Sequence, residues 1–400
     1  MTTHEGMGET PSAASASAGP QVWVERLTLT DFRNHARLSL TFDARPVVLT
    51  GPNGAGKTNL IEAISLLAPG QGLRRAPYPE IARRGTDAWA VAARVHTPIG
   101  PVDIGTGLSG VSSASSRTGR AVRIDGETQT GSGVLAEHVE MVWLTPAMDG
   151  LFTGAAGDRR RFLDRMILCF DPGYRTRVNH FERAMAQRNR LLEEGVRDNA
   201  RLGGLEIVMA ETGVAMAAAR AQTVAALATM IEARRDRAAA SAFPWAMLEL
   251  EGALEAELAR RPAVEVEDGY ARRLASARER DRAANRALDG PHRSDLIVGH
   301  GPKSAPARQC STGEQKALLV GLILAHAELM AERRRGAAPI LLLDEIAAHF
   351  DAERRAALFE EIVAIGTQAW MTGTDPEAFS ALEERAQKLT LREPGSPHSA

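Results

Sequence analysis

Lysine is nearly missing from this chain of 400 residues: Lys57, Lys303, Lys316 and Lys388 are the whole set, against 44 arginines among 48 basic residues. The bias fits genomic composition better than mechanism, so the place of each lysine becomes informative. Cysteine is rarer still. Cys169 and Cys310 lie far apart without metal-ligand spacing, which argues against a disulfide framework and for a reducing cytoplasm. Aromatics amount to 10 Phe, 5 Trp and 3 Tyr, too few for base stacking to be the main binding mode. A formal charge of -2 excludes a globally basic coat for polyanions and leaves room for a local patch. Long apolar runs are absent too. The uncharged stretches Ala221–Ile231 and Ala317–Ala327 fall well short of the ~20 residues that cross a bilayer. Met1–Pro20 lacks the apolar core of a signal peptide, and its Ser, Ala, Gly and Pro content reads as a disordered tail.

What is present suits two or three domains at ~150 residues each. Val22–Leu29 and Arg37–Phe42 read as strands on either side of a break at Asp31–His35, and Pro46–Thr50 as a short buried strand. Asn59–Leu67 has helical spacing. Several short β-like runs fill 86–145, with a Ser/Gly-rich loop or hairpin over Gly105–Gly119. From about Asp158 long helical patterns take over and run to Leu288, and 181–288 reads as an inserted arm. After Gly290-Pro291 the α/β character returns. The expected division is a tail over 1–20, a first head segment over 21–165, a helical lobe over 166–290 and a second head segment over 291–400.

Gly51-Pro52-Asn53-Gly54-Ala55-Gly56-Lys57-Thr58 matches G-x-x-x-x-G-K-[ST] between a buried strand and a helix. Glycines let backbone N–H groups wrap a phosphate, and the helix N-terminus adds positive potential. Lys57 is expected on the β/γ-phosphates of ATP and the Thr58 hydroxyl on Mg²⁺. A compact ammonium fits such a cradle where a guanidinium fork does not.

Ile340–Leu343 is an apolar strand that ends in Asp344-Glu345. Asp344 is the candidate metal ligand and Glu345 the candidate polariser of water. Upstream, Ser311-Thr312-Gly313-Glu314-Gln315 opens the helical run Lys316–Arg333. Taken alone, Ser311 and Glu314 also describe an ordinary capping box.

A phosphate loop, then S-x-G-x-Q opening a helix, then an apolar strand ending Asp-Glu, resembles the ABC-type ATPase head. The resemblance implies a mixed β lobe plus an α/β phosphate-loop core, carrying here an inserted helical arm. It also implies that two heads sandwich two ATP molecules, with Ser311, Gly313 and Gln315 of one head reaching the nucleotide of the other. The 253 residues between Thr58 and Ser311 exceed a transporter head and fall short of the long coiled coils of SMC proteins. With the runs Asp31–Asn34, Gly51–Ile64, Arg159–Asp164, Gly290–Asp295, Gln309–Lys316 and Leu343–Arg354, the stretch Val22–Arg392 is similar to the RecF family. That likeness implies an ATP-dependent homodimer that binds single- and double-stranded DNA and works with RecR and RecO to load RecA. It also implies Arg33 and Asn34 at the nucleotide, and slow hydrolysis used as a switch. The chain departs from the ABC pattern in three places, one being the lack of acids over Ile346–Phe350 between Glu345 and Asp351. Trp370–Asp375 lacks the usual histidine, leaving Thr372 or Thr374 to sense the γ-phosphate. The strand ending Leu144-Thr145-Pro146 offers no glutamine loop.

DNA contacts are sought among arginines: Arg74, Arg75, Arg83 and Arg84 after the first helix; Arg117, Arg120 and Arg123 around the Ser/Gly-rich loop; and Arg278, Arg282 and Arg286 as one i, i+4, i+8 stripe. A solvated charged face explains each group equally simply, as does local pairing of Arg159–Arg161 with Asp158 and Asp164. His292 and Arg293 have no derivable role, and His326 and His349 read as structural. Two other functions stay open: an ATPase subunit energising a membrane partner, and an ATP-gated scaffold.

Overall fold

A computed structural model describes residues 22–109, 119–237, 243–334 and 336–392. The N-terminal tail and Arg117 lie outside the described residues. The centre of the fold is a five-stranded parallel sheet in the order Gln387–Thr390, Val47–Thr50, Ala369–Thr372, Ile340–Leu343, Met141–Leu144. Its three inner strands are apolar runs buried at every residue because the sheet is covered on both faces. Alternate side chains enter different cores. Val47, Leu49, Ile340, Leu342 and Trp370 pack under the phosphate-loop helix Lys57–Ser65 and the N-terminal β lobe. Val48, Leu341, Leu343 and Met371 pack against the helix Thr312–Arg333 and the arm helices.

The β lobe is a six-stranded antiparallel sheet in the order His35–Thr41, Trp23–Phe32, Trp89–Thr97, Gly100–Leu108, Ala121–Ile124, Glu127–Thr128. The Ser/Gly-rich segment therefore begins as strand, since Gly105 and Gly107 pair with Ala92 and Ala90. Arg120, read above as a DNA candidate, is buried. Its guanidinium donates to the carbonyls of Leu66 and Ala68 and to Thr106 Oγ1. It thus takes up carbonyls that the phosphate-loop helix leaves unpaired, and that helix ends at Ser65, two residues before the expected Leu67.

The arm holds Ala156–Leu168, Tyr174–Glu193, the 39-residue helix Asn199–Arg237, and shorter helices at Ala253–Leu258, Ala263–Ser276 and Arg278–Ala283. The long helix extends ~58 Å. By length and composition one window of it could cross a membrane, yet half of that window is buried inside the protein. The helical pattern expected through Leu288, with interruptions at Gly195–Gly204, Phe243-Pro244 and Arg261-Pro262, also contains a strand, Ala246–Glu251, paired with Asp295–His300. A division at 290/291 therefore cuts between two paired strands.

The run Gly290–Asp295 is the joint between arm and head. Asp295 accepts a bidentate fork from Arg159, and the Ser294 carbonyl accepts from Arg160. Arg220 donates to the Pro291 carbonyl and forks onto Asp164. Of the expected partners of Arg159–Arg161, only Asp158 is used, by Arg161. Gly290 has φ 133°, and a Cβ there would meet the Tyr270 hydroxyl.

The arginine stripe does not form, because the helix stops at Ala283 and two of its members serve the arm itself. Arg278 forks onto Glu206, which also accepts from the fully buried Arg188. Arg282 donates to the Leu192 carbonyl and pairs with Glu279. Arg286 remains exposed on the following turn.

His326, on the helix Thr312–Arg333, is buried with one ring nitrogen 3.2 Å from the Met166 carbonyl and the other without a partner. Burial pushes its pKa down to about 4 against that hydrogen bond, with help from the Arg165 and Arg333 charges. The fold holds the ring neutral, whereas the unfolded chain protonates near the ordinary value of about 6.5. Its contribution is present in full above that value and is lost as pH falls toward 4, at up to ~1.4 kcal/mol per pH unit. Urea unfolding at pH 7.5 and pH 5 should show a larger acid-side loss for the parent than for His326→Gln.

Candidate functional site

Three neighbouring strands of the parallel sheet end at one place. Val47–Thr50 runs into the phosphate loop, Ile340–Leu343 ends at Asp344, and Ala369–Thr372 lies between them. Gly54 and Gly56 have φ 86° and 96°, left-handed conformations that a side chain resists. A Cβ on Gly56 would strike Asn34 Nδ2 at 2.8 Å and His35 Nε2 at 2.9 Å. Pro52, Asn53 and Gly54 form the exposed rim of the loop, and Ala55 packs beneath it. Gly51, at φ 136°, lies where a Cβ would meet the Leu391 carbonyl. Its glycine therefore serves packing of the last strand as well as the loop.

Lys57 is buried, and its ammonium donates to the carbonyls of Gly51 (2.7 Å) and Pro52 (2.9 Å). Burial lowers its pKa, with Glu345 and Asp344 opposing the shift. Asp344 Oδ1 accepts two hydroxyl hydrogen bonds, from Thr372 at 2.7 Å and from Thr58 at 3.1 Å. Thr372 Oγ1 in turn accepts from the Glu345 backbone N–H at 2.8 Å. Glu345 adopts φ 52°, which leaves its side chain exposed beside a pinned backbone. The Thr372 hydroxyl is thus occupied by Asp344, whereas Thr374 is exposed.

The donor set suits the cofactors anticipated. Thr58 and Asp344 offer hard oxygen ligands in a pair too small to enclose a cation. Among the described residues no group of three or more His, Cys, Asp or Glu forms a metal cage. Mg²⁺ is commonly held in this way, by one or two protein oxygens with phosphate and water completing the octahedron.

The turn Arg33-Asn34 abuts the same loop. Arg33 forks onto the buried Glu62 at 2.9 and 2.5 Å, and Arg74 reaches Glu62 from the other side at 3.1 Å. Arg74 is thereby held against the phosphate-loop helix while remaining exposed. Arg83 is likewise paired, with Asp31. Arg84 and Arg75 are exposed and make no ion pair among the described residues. Asn34 accepts from Asn59 at 2.7 Å, while its own amide nitrogen is buried beside Gly56 without a partner. His35 Nε2 also lies beside Gly56, and burial lowers the His35 pKa against a hydrogen bond with the Gly56 backbone. The sequence reading passed over His35, because only the strand pairing that begins there turns it toward Gly56.

Thr312–Arg333 begins four residues earlier than its periodicity indicates, capped by Ser311 and Glu314 in a reciprocal box. Lys303 pairs with Glu314 at 2.6 Å, and this bond, with those from Ser311, holds the Glu314 carboxyl at about 2. Ser311 is exposed. Gly313 lies where a Cβ would stand 3.3 Å from the His349 carbonyl. Gln315 is buried and donates to the Cys310 carbonyl at 2.9 Å, so its side chain faces inward. Lys316 Nζ donates to the Glu345 carbonyl at 2.9 Å, a direct tie from this helix to the acidic loop.

Comparison with known proteins places this geometry. The model of the RecF/RecN/SMC N-terminal domain matches residues 23–394. A DNA replication and repair protein RecF of Mesorhizobium japonicum is 55% identical over 372 residues, 93% of this chain and 96% of that one. The protein of the same name from Rhizobium etli is 53% identical over 93% of this chain and 97% of its own. A solved structure of the recombination mediator protein RecF with ATPrS superposes with a TM-score of 0.78 at 20% identity, covering 95% of this chain and 98% of that one. An Smc head from Pyrococcus furiosus reaches a TM-score of 0.53 at 14% identity over 94% and 95%. These two likenesses carry the fold, an ABC/SMC-type head with a helical arm.

Thr372→Val should leave the Glu345 N–H without an acceptor and Asp344 with one hydroxyl donor, Thr58, in place of two. A stability loss of ~1–3 kcal/mol is expected by denaturant unfolding, with Thr372→Ser restoring most of it.

Proposed function

The chain belongs to the RecF family, and from that footing we propose an ATP-gated DNA-binding switch whose two heads close on Mg²⁺-ATP. The observation that carries the reading is the convergence of the Thr58 and Thr372 hydroxyls on Asp344 beside a phosphate loop of matching sequence. Loop N–H groups and Lys57 hold the β/γ-phosphates, and Thr58 and Asp344 offer oxygens to Mg²⁺. Asn34, with its unpaired amide beside Gly56, faces the same nucleotide. Glu345, pinned by its backbone and free at its carboxylate, polarises water. Ser311 and Gly313 open a helix whose positive end meets the nucleotide of the opposite head. Closure then follows from linkage, because nucleotide held in both half-sites favours the paired heads.

DNA binding, on single strands, duplexes and the gaps between them, is assigned to the β lobe. On its solvent face Thr28, Ser39, Ala92 and Gly105 form a row of small residues ending at Arg123. The next row ends at Arg37, and Arg26 stands beside the Arg94–Asp103 pair in the row on the other side. Arg37 and Arg123 are exposed and make no ion pair with the described residues. A flat face of small side chains rimmed by guanidiniums admits a phosphate backbone closely and reads no sequence. The family likeness adds DNA-stimulated slow turnover in the cytoplasm, and RecR, RecO and RecA as partners in recombinational repair.

Glu345→Gln should retain ATP and accumulate as a dimer in sedimentation velocity, with Lys57→Met monomeric throughout. A Glu345→Gln protein that stays monomeric at saturating ATP overturns the gating scheme. For DNA, Arg37→Glu with Arg123→Glu should reduce the log–log salt slope by roughly 1.8 per protomer. An unchanged slope would move the contact surface elsewhere.

A further inference from the structure

A cleft of about 290 Å³ opens beside the segment Ala147–Leu151, away from the phosphate loop. Its apolar lining includes Met148, Leu151 and Phe162, and its charged lining is Arg75, Arg161 and Arg165 with one acid, Asp158. Arg161 and Arg165 lie four apart on Ala156–Leu168 and share a face. Arg75 comes from the opposite side of the fold, from the loop after the phosphate-loop helix.

The three guanidiniums differ in how they are satisfied. Arg161 pairs with Asp158. Arg165 is half-buried with no carboxylate at ion-pair distance among the described residues; it stacks on the rings of Trp143 (5.2 Å) and Phe162 (5.6 Å) and donates to Met148 Sδ at 3.5 Å. Burial and then the Arg75 charge lower its pKa to about 10. Arg75 is exposed, with no ion pair among the described residues. Two like charges therefore face each other across a cleft with most of their N–H donors unused, an arrangement that one anion would relieve.

We propose that this cleft binds an acidic, apolar peptide segment of a protein partner, its carboxylate between Arg75 and Arg165 and a neighbouring aliphatic or aromatic side chain on Met148, Leu151 and Phe162. The apolar lining favours a peptide over nucleic acid, whose phosphates carry no such group, and the cleft is too small for a duplex. The position gives such a partner leverage. Met148 and Gly150 line the cleft, while Asp149 between them lies 3.9 Å from Lys316, the lysine that holds the Glu345 carbonyl.

The test uses the full chain and fluorescence anisotropy with a short labelled peptide alternating Asp with Phe and Leu, and the same peptide with Asn for Asp. The acidic peptide should bind and the Asn peptide should not. Arg75→Glu, at an exposed position, should weaken binding about tenfold or more, and Arg165→Gln by a similar factor. Failure of the acidic peptide to bind, equal binding of the Asn peptide, or unchanged binding by Arg75→Glu overturns the proposal. Displacement of the peptide by a thymidine oligonucleotide also overturns it, in favour of a phosphate site. Lys57→Met should bind the peptide as the parent does, which separates this test from the nucleotide reading.

Discussion

Burial of the central parallel sheet on both faces is the constraint from which the rest follows. Its inner strands supply apolar side chains that alternate between two cores, with a threonine only at the last position of two of them. Polar chemistry is pushed to the carboxyl ends of the strands, where the chain leaves the sheet and side chains regain access to solvent. The phosphate loop, Asp344 and Thr372 collect there because three adjacent strands end together. The hydroxyl pair on Asp344 is the local consequence, since a carboxylate at the edge of a dry sheet needs donors and its two neighbouring strands each provide one.

The arginines carry a second theme. Most of those placed within the fold act as multi-donor staples, each fork closing two or three acceptors from distant parts of the chain. Arg159 and Arg220 join the first arm helix and the long helix to Gly290–Asp295, Arg188 binds the arm together, and Arg120 finishes the phosphate-loop helix. This use is compatible with a net charge near zero, because staples require acids or carbonyls opposite them. Some exposed or half-buried guanidiniums make no ion pair among the described residues, and four of them fall at two places on the surface. Arg37 and Arg123 frame a flat sheet face, and Arg75 and Arg165 frame a cleft. Neutral overall charge and local anion binding are thereby reconciled.

Much of the site was legible in the sequence. The phosphate loop, the Asp-Glu strand end and the capped helix are local signals, each written within about ten consecutive residues, and local sterics and hydrogen bonding decide them. The arginine readings fared differently. Arg74, Arg83, Arg120, Arg278 and Arg282 all look like free cations in the sequence, yet each is bonded within the fold. Arg120 bonds to residues more than 50 positions away and Arg278 to one 72 away, separations that no helical or strand period encodes. The strand Ala246–Glu251 was hidden in a helical stretch for the same reason, its partner being Asp295–His300.

The sequence by itself determined the groups on offer: a phosphate-loop motif, a strand ending in Asp344-Glu345 and a capped helix start, each set by short-range backbone geometry. Only the tertiary structure decided which groups were left free. It tied the Thr372 hydroxyl to Asp344, turned Gln315 inward, aimed Asn34 and His35 at Gly56, and converted Gly290–Asp295 from an unexplained run into the joint between arm and head. The physical reason is that hydrogen-bond and charge satisfaction is a property of the closed fold. A donor is available to a ligand only when folding has not already given it an acceptor, and the acceptors come from strands and helices that meet only in three dimensions.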